Sequence, residues 1–503
     1  MHRLSDLLTD LSTQSCRGPL DTAVRGISFD SRRTEPGFVF FAIQGEHVDG
    51  HSFIPDAVKR GACAVVYSDS CPPLPDSVTA VHVSDVRLAL SHAASAWSGH
   101  PSRQIPCIGV TGTDGKSTTV HLLWQLLNLA GYKAGCVSTV HLSTGGGADK
   151  NPFRQSTPEA PEIHRILTEM IEANCQFAVV EATSHGLSDK TNRLRDVHWA
   201  GAVFTNLGHE HLEFHGSFEN YRHDKCNLFR GLSETTGVGP FGIVNSDDPS
   251  ESWFRRSTQA RTYGISMAGA ESDLKIQDIR ESAEQTRFSL KYKGEHIPCT
   301  IRIPGRYNVF NTSAALLAGS LATGEPIENF ARHAGQLRAP TGRMDEVKAG
   351  QPYRVIVDFA HTPGSFETVL PMLRTTTERK LIIVFGSAGE RDTAKRPMQG
   401  SIADAYTDMV FLTDEDPRGE DREAILREIA AGCTGKIEGR TLFLIPDRRD
   451  AIRTAFESAE PGDTVALLGK GHESSIIYDT GSVPWNERDV ACSILSELGY
   501  DHE

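Results

Sequence analysis

The stretch Gly109-Val110-Thr111-Gly112-Thr113-Asp114-Gly115-Lys116-Ser117-Thr118 constrains this chain more than any other. It follows an apolar run, Cys107–Val110, that reads as a strand, and it opens a helical pattern from Ser117 to Leu129. In a strand–turn–helix of this kind the backbone N–H groups face inward and the helix N-terminus adds positive partial charge. The turn is therefore a receptacle for phosphate oxygens. Lys116 would reach the β- and γ-phosphates, and the Ser117 hydroxyl would ligate Mg2+. The full pattern GxxxxGK[ST] begins with glycine; here Val110 stands there, so the loop is a shortened variant starting at Gly112. A glycine-rich turn with an incidental lysine is the bland alternative, and the flanking strand and helix weigh against it.

Beyond this loop, short apolar runs alternate with helix-length segments. CIGVTG, AGCVST, FAVVEA and AGAVFTN form one series; RVIVDFA, KLIIVFG, MVFLTD, TLFLIP and TVALLG form a second from Arg354 onward. Such alternation predicts mainly parallel sheets covered on both faces. Residues 1–103 carry strands at Phe38–Ile43 and Ala62–Tyr67 and a helix near Ile54–Arg60, and polar Ser98–Pro106 reads as a linker. Gln336–Arg343, with Pro340 and Gly342, reads as a joint. The expectation is an α/β chain of three domains, residues 1–103, 104–337 and 338–503. Ser143–Pro161, with its Gly145-Gly146-Gly147 run, reads as a loop near the phosphate turn.

Lys+Arg 51 against Asp+Glu 65 gives a formal charge of −14, which disfavours nucleic acid and anionic membrane as partners. The ten cysteines form no CxxC pair, as expected of free thiols in a reducing compartment. MHRLSDLLTDLSTQ lacks the apolar core of a signal peptide, and no run of eighteen apolar residues exists. A cytoplasmic protein without membrane insertion is expected.

Glu181 ends the strand Phe177–Val180, and His211 follows the strand end Ala202–Asn206. In a parallel sheet both reach the same carboxyl edge as the phosphate loop, where they and Ser117 would form a Mg2+ site. Taken alone, His211 is more often a satisfied loop histidine. Asn245, Asp247 and Asp248 end the FGIVNSDD strand, and Thr205-Asn206 would bring an amide near the phosphates.

These motifs, in this order, resemble the Mur ligase family of ATP-dependent amide ligases. The resemblance covers nearly the whole chain. It runs through Phe29-Asp30-Ser31-Arg32, Asp49-Gly50-His51-Ser52-Phe53-Ile54, Thr111 to Thr118, Ser156-Thr157-Pro158-Glu159 and Glu181-Ala182-Thr183-Ser184-His185-Gly186. It continues through Thr205 to Leu212, Tyr221 to Lys225, Gly305 to Asn311, Gly342-Arg343-Met344, Asp358 to Pro363, Gly386 to Asp392, Thr413 to Arg418 and Gly469 to Glu473. It implies a uridine-nucleotide-binding first domain, a central ATP-binding domain and a Rossmann-like third domain, closing around the site. It also implies ATP and Mg2+ as cofactors. The substrates would be UDP-MurNAc-L-Ala-D-Glu and a free dibasic amino acid, and the enzyme a monomer.

The resemblance assigns roles residue by residue. Gly112, Thr113, Asp114, Gly115, Lys116, Ser117 and Thr118 would hold ATP, with Asn308 and Asn311; for those two asparagines helix N-capping is an equal reading. Lys116, Glu181, His211 and Lys225 would be catalytic, and Ser117, Glu181, His211 and Lys225 would hold the metal, with Lys225 carbamylated. Read alone, Lys225 is a surface lysine of a polar helix. Ser31 and His47 would grip the uridine end. Ser156, Thr157, Thr183 and Arg193 would hold the muramoyl-dipeptide end, although about two extra residues precede Arg193 relative to the family pattern. Arg391, Glu415, Asp416, Pro417, Arg418, Gly469 and Glu473 would bind the amino acid, and His361 is a secondary candidate.

Arg418 would pair a second carboxylate, as in diaminopimelate. The acidic Glu415-Asp416 pair would instead suit a bare ammonium, as in lysine or ornithine. A solvated acidic loop is the bland reading of Glu415 to Asp421. Two other functions compete. A folylpolyglutamate-synthetase-like ligase shares the phosphate loop but predicts no uridine domain. A non-catalytic nucleotide-binding regulator would have no need to keep Lys116, Ser117, Glu181, His211 and Lys225 together.

Overall fold

A computed structural model describes residues 2–500 apart from Asp10, Ser12, Glu46, His47, Arg154, His209, Ala283 and Glu284. His47, expected at the uridine end, lies outside the described residues. The backbone packs as two compact units. One takes Met1–Gln277, Leu290–Ile297 and Phe310–His333; the other takes Asp278–Ser289, Pro298–Val309 and Ala334–Glu503. The expected first block thus packs with most of the central block in one unit. The expected joint at Gln336–Arg343 falls near the start of the last segment of the other.

In the first unit, residues 13–83 form a five-stranded sheet with neighbours Thr13–Arg17, Thr79–Val83, Ala64–Tyr67, Phe38–Phe41 and Gly26–Ser28. All pairings are parallel except that of Thr13–Arg17. Val39, Phe41, Val66 and Val81 are buried beneath the helix Val86–Trp97, which buries Ala89, Leu90 and Ala93 against them. Asp85 caps that helix, accepting from Leu88 N at 2.9 Å.

The second sheet of this unit carries the phosphate loop. Its parallel neighbours run Ala134–Val137, Phe177–Glu181, Cys107–Thr111, Trp199–Phe204, Phe241–Asn245 and Arg261–Ser266. Cys107–Thr111 is central and wholly buried, which explains its unbroken apolar character. A Cβ at Gly109 would sit 2.4 Å from Leu228 Cδ1, so only glycine lets the helix Phe218–Arg230 lie this close. Most of the stretch expected to be a loop is irregular, but Asp149–Lys150 within it pairs antiparallel with His141 and Leu142. Leu142 pairs with Asp149 across a turn that includes Gly145, whose φ of 109° favours glycine.

In the second unit a six-stranded sheet has the order Asp345–Val347, Arg354–Asp358, Thr464–Leu468, Leu381–Phe385, Met409–Leu412 and Leu442–Leu444. All pairs are parallel except the first. The strands Thr464–Leu468, Leu381–Phe385 and Met409–Leu412 are adjacent. The loops after them, carrying Gly469, Arg391 and Glu415, therefore open from one carboxyl edge.

Candidate active site

The phosphate loop is held both by its neighbours and by Lys116, whose Nζ donates to Thr113 O at 2.5 Å. Asn206 brackets Asp114, its Oδ1 accepting from Asp114 N at 3.0 Å and its Nδ2 donating to Asp114 O at 3.1 Å. Thr205 Oγ1 donates to the same carbonyl at 2.6 Å, and Thr113 N donates to Asn206 O at 2.8 Å. Thr113 Oγ1 also meets Tyr221 Oη at 3.1 Å. Gly115 is left-handed, at φ 82°, immediately before the helix Lys116–Leu129. A Cβ there would lie 2.5 Å from Asn311 Oδ1, so Asn311 faces the loop. The capping reading of the two asparagines fails. Both lie inside the helix Arg306–Thr323, and Asn308 Nδ2 donates back to Pro304 O at 2.7 Å.

Ser117 and Glu181 meet beside the loop. Ser117 Oγ donates to Glu181 Oε2 at 2.8 Å, and Thr139 N donates to the same oxygen at 2.7 Å. Glu181 is buried, and no cation of the described residues lies within ion-pair distance of it. Lys225 does not lie on the surface. Its helix turns it inward, where it is 1% exposed, and Nζ donates to Gly112 O at 2.6 Å and stands 4.5 Å from the Tyr221 ring centroid. Burial drives its pKa well below the ordinary lysine value, and Lys116 pushes the same way against Glu210, Asp114 and Glu181.

His211 takes a left-handed conformation, φ 56°, at the head of the short helix Leu212–His215. Glu210 and Glu213 flank its ring at 3.7 and 3.6 Å, and His185 packs edge-on with centroids 4.8 Å apart. Burial lowers its pKa against the pull of Glu210 and Glu213, and Lys116 and Lys225 push the same way as burial. Lys116, Lys225, Glu181 and His211 thus share one electrostatic neighbourhood. Among the described residues, His, Asp and Glu ligand atoms gather tightly enough for a shared cation only at Asp189, His223 and Asp224. Ser117 and Glu181 bring oxygen donors together beside the loop, the ligand type Mg2+ takes along with waters and phosphate oxygens.

The residues expected at the dipeptide end come together. Thr157 Oγ1 and Thr183 Oγ1 are 2.8 Å apart, and Arg193 Nη1 donates to Thr157 O at 3.2 Å. Arg193 Nη2 also pairs with Glu159 at 2.8 Å. The neighbours of Arg193 tie it to the first block. Asn192 Nδ2 donates to Asp85 Oδ2 at 3.1 Å, and Asp196 accepts from His92 in a short hydrogen bond. Ser31 is buried in a 3-10 turn, where Asp30 accepts from Arg32 N at 3.0 Å. Ser156 is half-buried.

Asn245, Asp247 and Asp248 act on the backbone. They reach Thr205 O, Met267 N and Leu207 N at 2.7, 2.6 and 2.8 Å.

In the second unit, Arg448 ties the ends of two strands together. Its Nη1 donates to Asp414 O at 2.9 Å and its Nη2 to Leu468 O at 2.8 Å, the residues just before Glu415 and Gly469. Glu487 balances its charge at 2.6 Å, both side chains being fully buried. Lys470, also buried, pairs with Asp416 at 2.8 Å and Glu473 at 2.5 Å. Glu415 is buried rather than solvated, so the acidic-loop reading fails for it. Arg418 is left-handed, φ 54°, and its N donates to Ile477 O at 2.9 Å. Arg391 is exposed, and His361 Nδ1 meets Phe359 O at 2.9 Å.

Sequence reading brought the Asn206 amide to the phosphate loop but not onto the Asp114 backbone, and it missed Tyr221 as a brace and Arg448 with Glu487. Asn206 directly following a strand end was the signal for the first. A charged pair 39 residues apart left none.

The Mur ligase middle-domain model matches residues 110–319, the glutamate ligase domain model 342–471, and the Mur ligase catalytic-domain model 23–98. A UDP-N-acetylmuramyl-tripeptide synthetase of Roseiflexus sp. (strain RS-1) is 45% identical over 510 residues, covering 99% of both chains. One of Borreliella afzelii (strain PKo) is 42% identical, again covering 99% of both. A solved UDP-N-acetylmuramoyl-L-alanyl-D-glutamate--2,6-diaminopimelate ligase superposes with a TM-score of 0.69 at 26% identity, covering 99% of each chain. Matched along nearly its whole length, with the phosphate loop and the buried lysine in place, the chain belongs to the Mur ligase family.

Proposed function

We propose that this protein is an ATP-dependent ligase that joins a dibasic amino acid to the D-glutamyl γ-carboxylate of UDP-MurNAc-L-Ala-D-Glu in peptidoglycan precursor synthesis. A carboxylate oxygen is a poor leaving group. It attacks the γ-phosphorus of ATP, ADP departs, and the acyl phosphate carries phosphate as its leaving group. The amine then attacks the carbonyl carbon, phosphate leaves, and the nitrogen gives up a proton.

Phosphoryl transfer is chiefly a matter of position and charge. The loop Gly112–Thr118 would cradle the phosphates, Lys116 would neutralise charge gathering on the γ-phosphoryl oxygens, and Asn311 would face the nucleotide. Ser117, Glu181 and His211 would hold Mg2+, which when bound draws charge off the transferring phosphoryl group. A lysine kept neutral by burial adds CO2 and releases a proton. Carbamylated Lys225 would thus offer carboxylate oxygens where the unmodified amine now meets Gly112. Thr157, Thr183 and Arg193 would orient the dipeptidyl arm, and Ser31 the uridine end. Arg391, Arg418, Glu415, Asp416, Gly469 and Glu473 would receive the amino acid.

The observation that carries this reading is the convergence of Lys116, Lys225, Glu181 and His211 on one phosphate loop. A folylpolyglutamate-type ligase is less favoured, because residues 23–98 match a Mur ligase model of their own. The test is phosphate release from ATP with UDP-MurNAc-L-Ala-D-Glu and each dibasic amino acid, with products weighed by mass spectrometry. Lys116→Ala should lower kcat at least ~100-fold while the chain stays folded. Near-normal turnover would overturn the role given to Lys116.

A further inference from the structure

His215 is a buried imidazole that the proposed chemistry leaves without a task. Its side chain has no solvent exposure, and its Nδ1 meets Asp224 Oδ2 at 2.8 Å. A carboxylate only accepts, so Nδ1 carries the proton and donates. In the neutral ring Nε2 is then an acceptor, buried and without a partner among the described residues. The bond to Asp224 is therefore what fixes the tautomer and the ring plane of His215.

The pair joins two elements. His211 and His215 are the two ends of one turn, His215 N donating to His211 O at 3.1 Å. His211 heads that turn in the left-handed conformation that residues other than glycine seldom take. Asp224 belongs to the helix Phe218–Arg230, one position before Lys225. Successive helix positions point about 100° apart, so Asp224 reaches the turn while Lys225 reaches Gly112 of the phosphate loop. Asn220 of the same helix adds a second tie, its Nδ2 donating to His215 O at 3.0 Å.

The rings follow the same path. His215 packs edge-on against His185 and Tyr221, with centroids 5.4 and 5.1 Å apart. His185 in turn lies against the His211 ring, and Tyr221 against Lys225 Nζ and Thr113. On its other side Asp224 has Ser188 as a hydrogen-bond partner, the half-exposed His223 at 3.7 Å and the Asp189 carboxylate close by.

Building on the ligase reading above, we propose that Asp224 and His215 are positioning residues that lock the turn bearing His211 to the helix bearing Lys225. Two ligands of the proposed Mg2+ site, drawn from separate elements, thereby meet the phosphate loop in one fixed arrangement. Asp224 and His215 orient those ligands and are not ligands themselves.

The geometry is tested on the full chain without nucleotide or metal, labelled at histidine with nitrogen-15. A ring protonated at Nδ1 in the unaltered chain should change tautomer in Asp224→Ala. The absence of any such ring overturns the pairing. Activity gives the second readout. Asp224→Ala should raise the Mg2+ concentration that half-saturates phosphate release ~10- to 100-fold, the scale for losing a group that orients a metal ligand, and leave KM for the dibasic amino acid in place. Asp224→Asn, whose side-chain oxygen still accepts from Nδ1, should recover most of the loss. His223→Ala spares the pair and should leave Mg2+ half-saturation unmoved. An unchanged half-saturation in folded Asp224→Ala, losses spread evenly over Mg2+, ATP and amino acid, or an equal loss in His223→Ala each overturn the inference and leave the ligase reading intact. No phosphate release from the unaltered enzyme with any dibasic amino acid overturns the ligase reading, while the histidine spectra still decide the pairing. Should Asp224→Ala not fold, Asp224→Glu, which keeps the charge and moves the carboxylate by one methylene, carries the same comparison.

Discussion

Lys225 Nζ lies 2.6 Å from the carbonyl oxygen of Gly112, so the buried lysine reaches the first residue of the phosphate loop from a helix more than a hundred positions away. Burial and the neighbouring Lys116 both disfavour its charge. Replacing it with methionine keeps the volume and removes the desolvated amine. Lys225→Met should therefore keep or slightly raise the melting temperature while lowering kcat at least ~100-fold. Thermal denaturation and phosphate-release assays on one preparation check both halves. A variant that keeps full turnover would remove Lys225 from the chemistry.

Asn206 closes a ring around Asp114 that no other residue can replace in kind. Asn206→Ala leaves the exposed Asp114 N–H to water, a loss of ~0.5–1.5 kcal/mol together with the bracing of the loop. The loop should then bind ATP more weakly, with KM for ATP raised about 10-fold and KM for the amino acid unmoved. Nucleotide titration by calorimetry measures the first directly.

The Arg448–Glu487 pair is fully buried. Removing one partner strands the other, so Arg448→Met and Glu487→Gln should each cost ~3–5 kcal/mol. The double variant Arg448→Met with Glu487→Met should recover part of that loss but not the amino-acid KM, because the Asp414 and Leu468 carbonyls lose their common donor. Urea denaturation of the set gives the cycle. Strictly additive losses would show that the pair does not act as a unit.

Burial raises the pKa of Glu415 above the ordinary glutamate value. The folded chain thus holds this proton at pH values where the unfolded chain has released it. The associated stability is present below the unfolded pKa and is lost as pH rises through the folded one. Glu415→Gln lacks the titration. Its melting temperature should exceed that of the unaltered protein at pH 7–8, by a few degrees, and the gap should shrink toward pH 4. A gap constant across that range would show that Glu415 is not the group responsible.

The sequence alone disclosed the parts in which chemistry and chain direction coincide. The phosphate loop, Glu181 at a strand end and the parallel series of strands were legible because periodicity and turn chemistry are local. Arg193, Thr157 and Thr183 do meet, as their motifs implied. What could not be read was depth. YRHDKCNLF is polar enough to pass for a surface helix, and only tertiary packing turns Lys225 inward. The same holds for Glu415, whose charged neighbours suggest solvent while the sheet edge covers it. Asn308 and Asn311 failed as caps because the helix begins earlier, at Arg306.

Arg193 sits between two anchors, Asn192 on Asp85 and Asp196 on His92, both reaching the helix end and helix that cover the first sheet. If Arg193 and Ser31 hold the two ends of an elongated substrate as proposed, the span between them is set by the protein rather than by the molecule. Such a fold would act as a gauge: a nucleotide sugar with a shorter or longer peptide arm would reach one anchorage only by giving up the other.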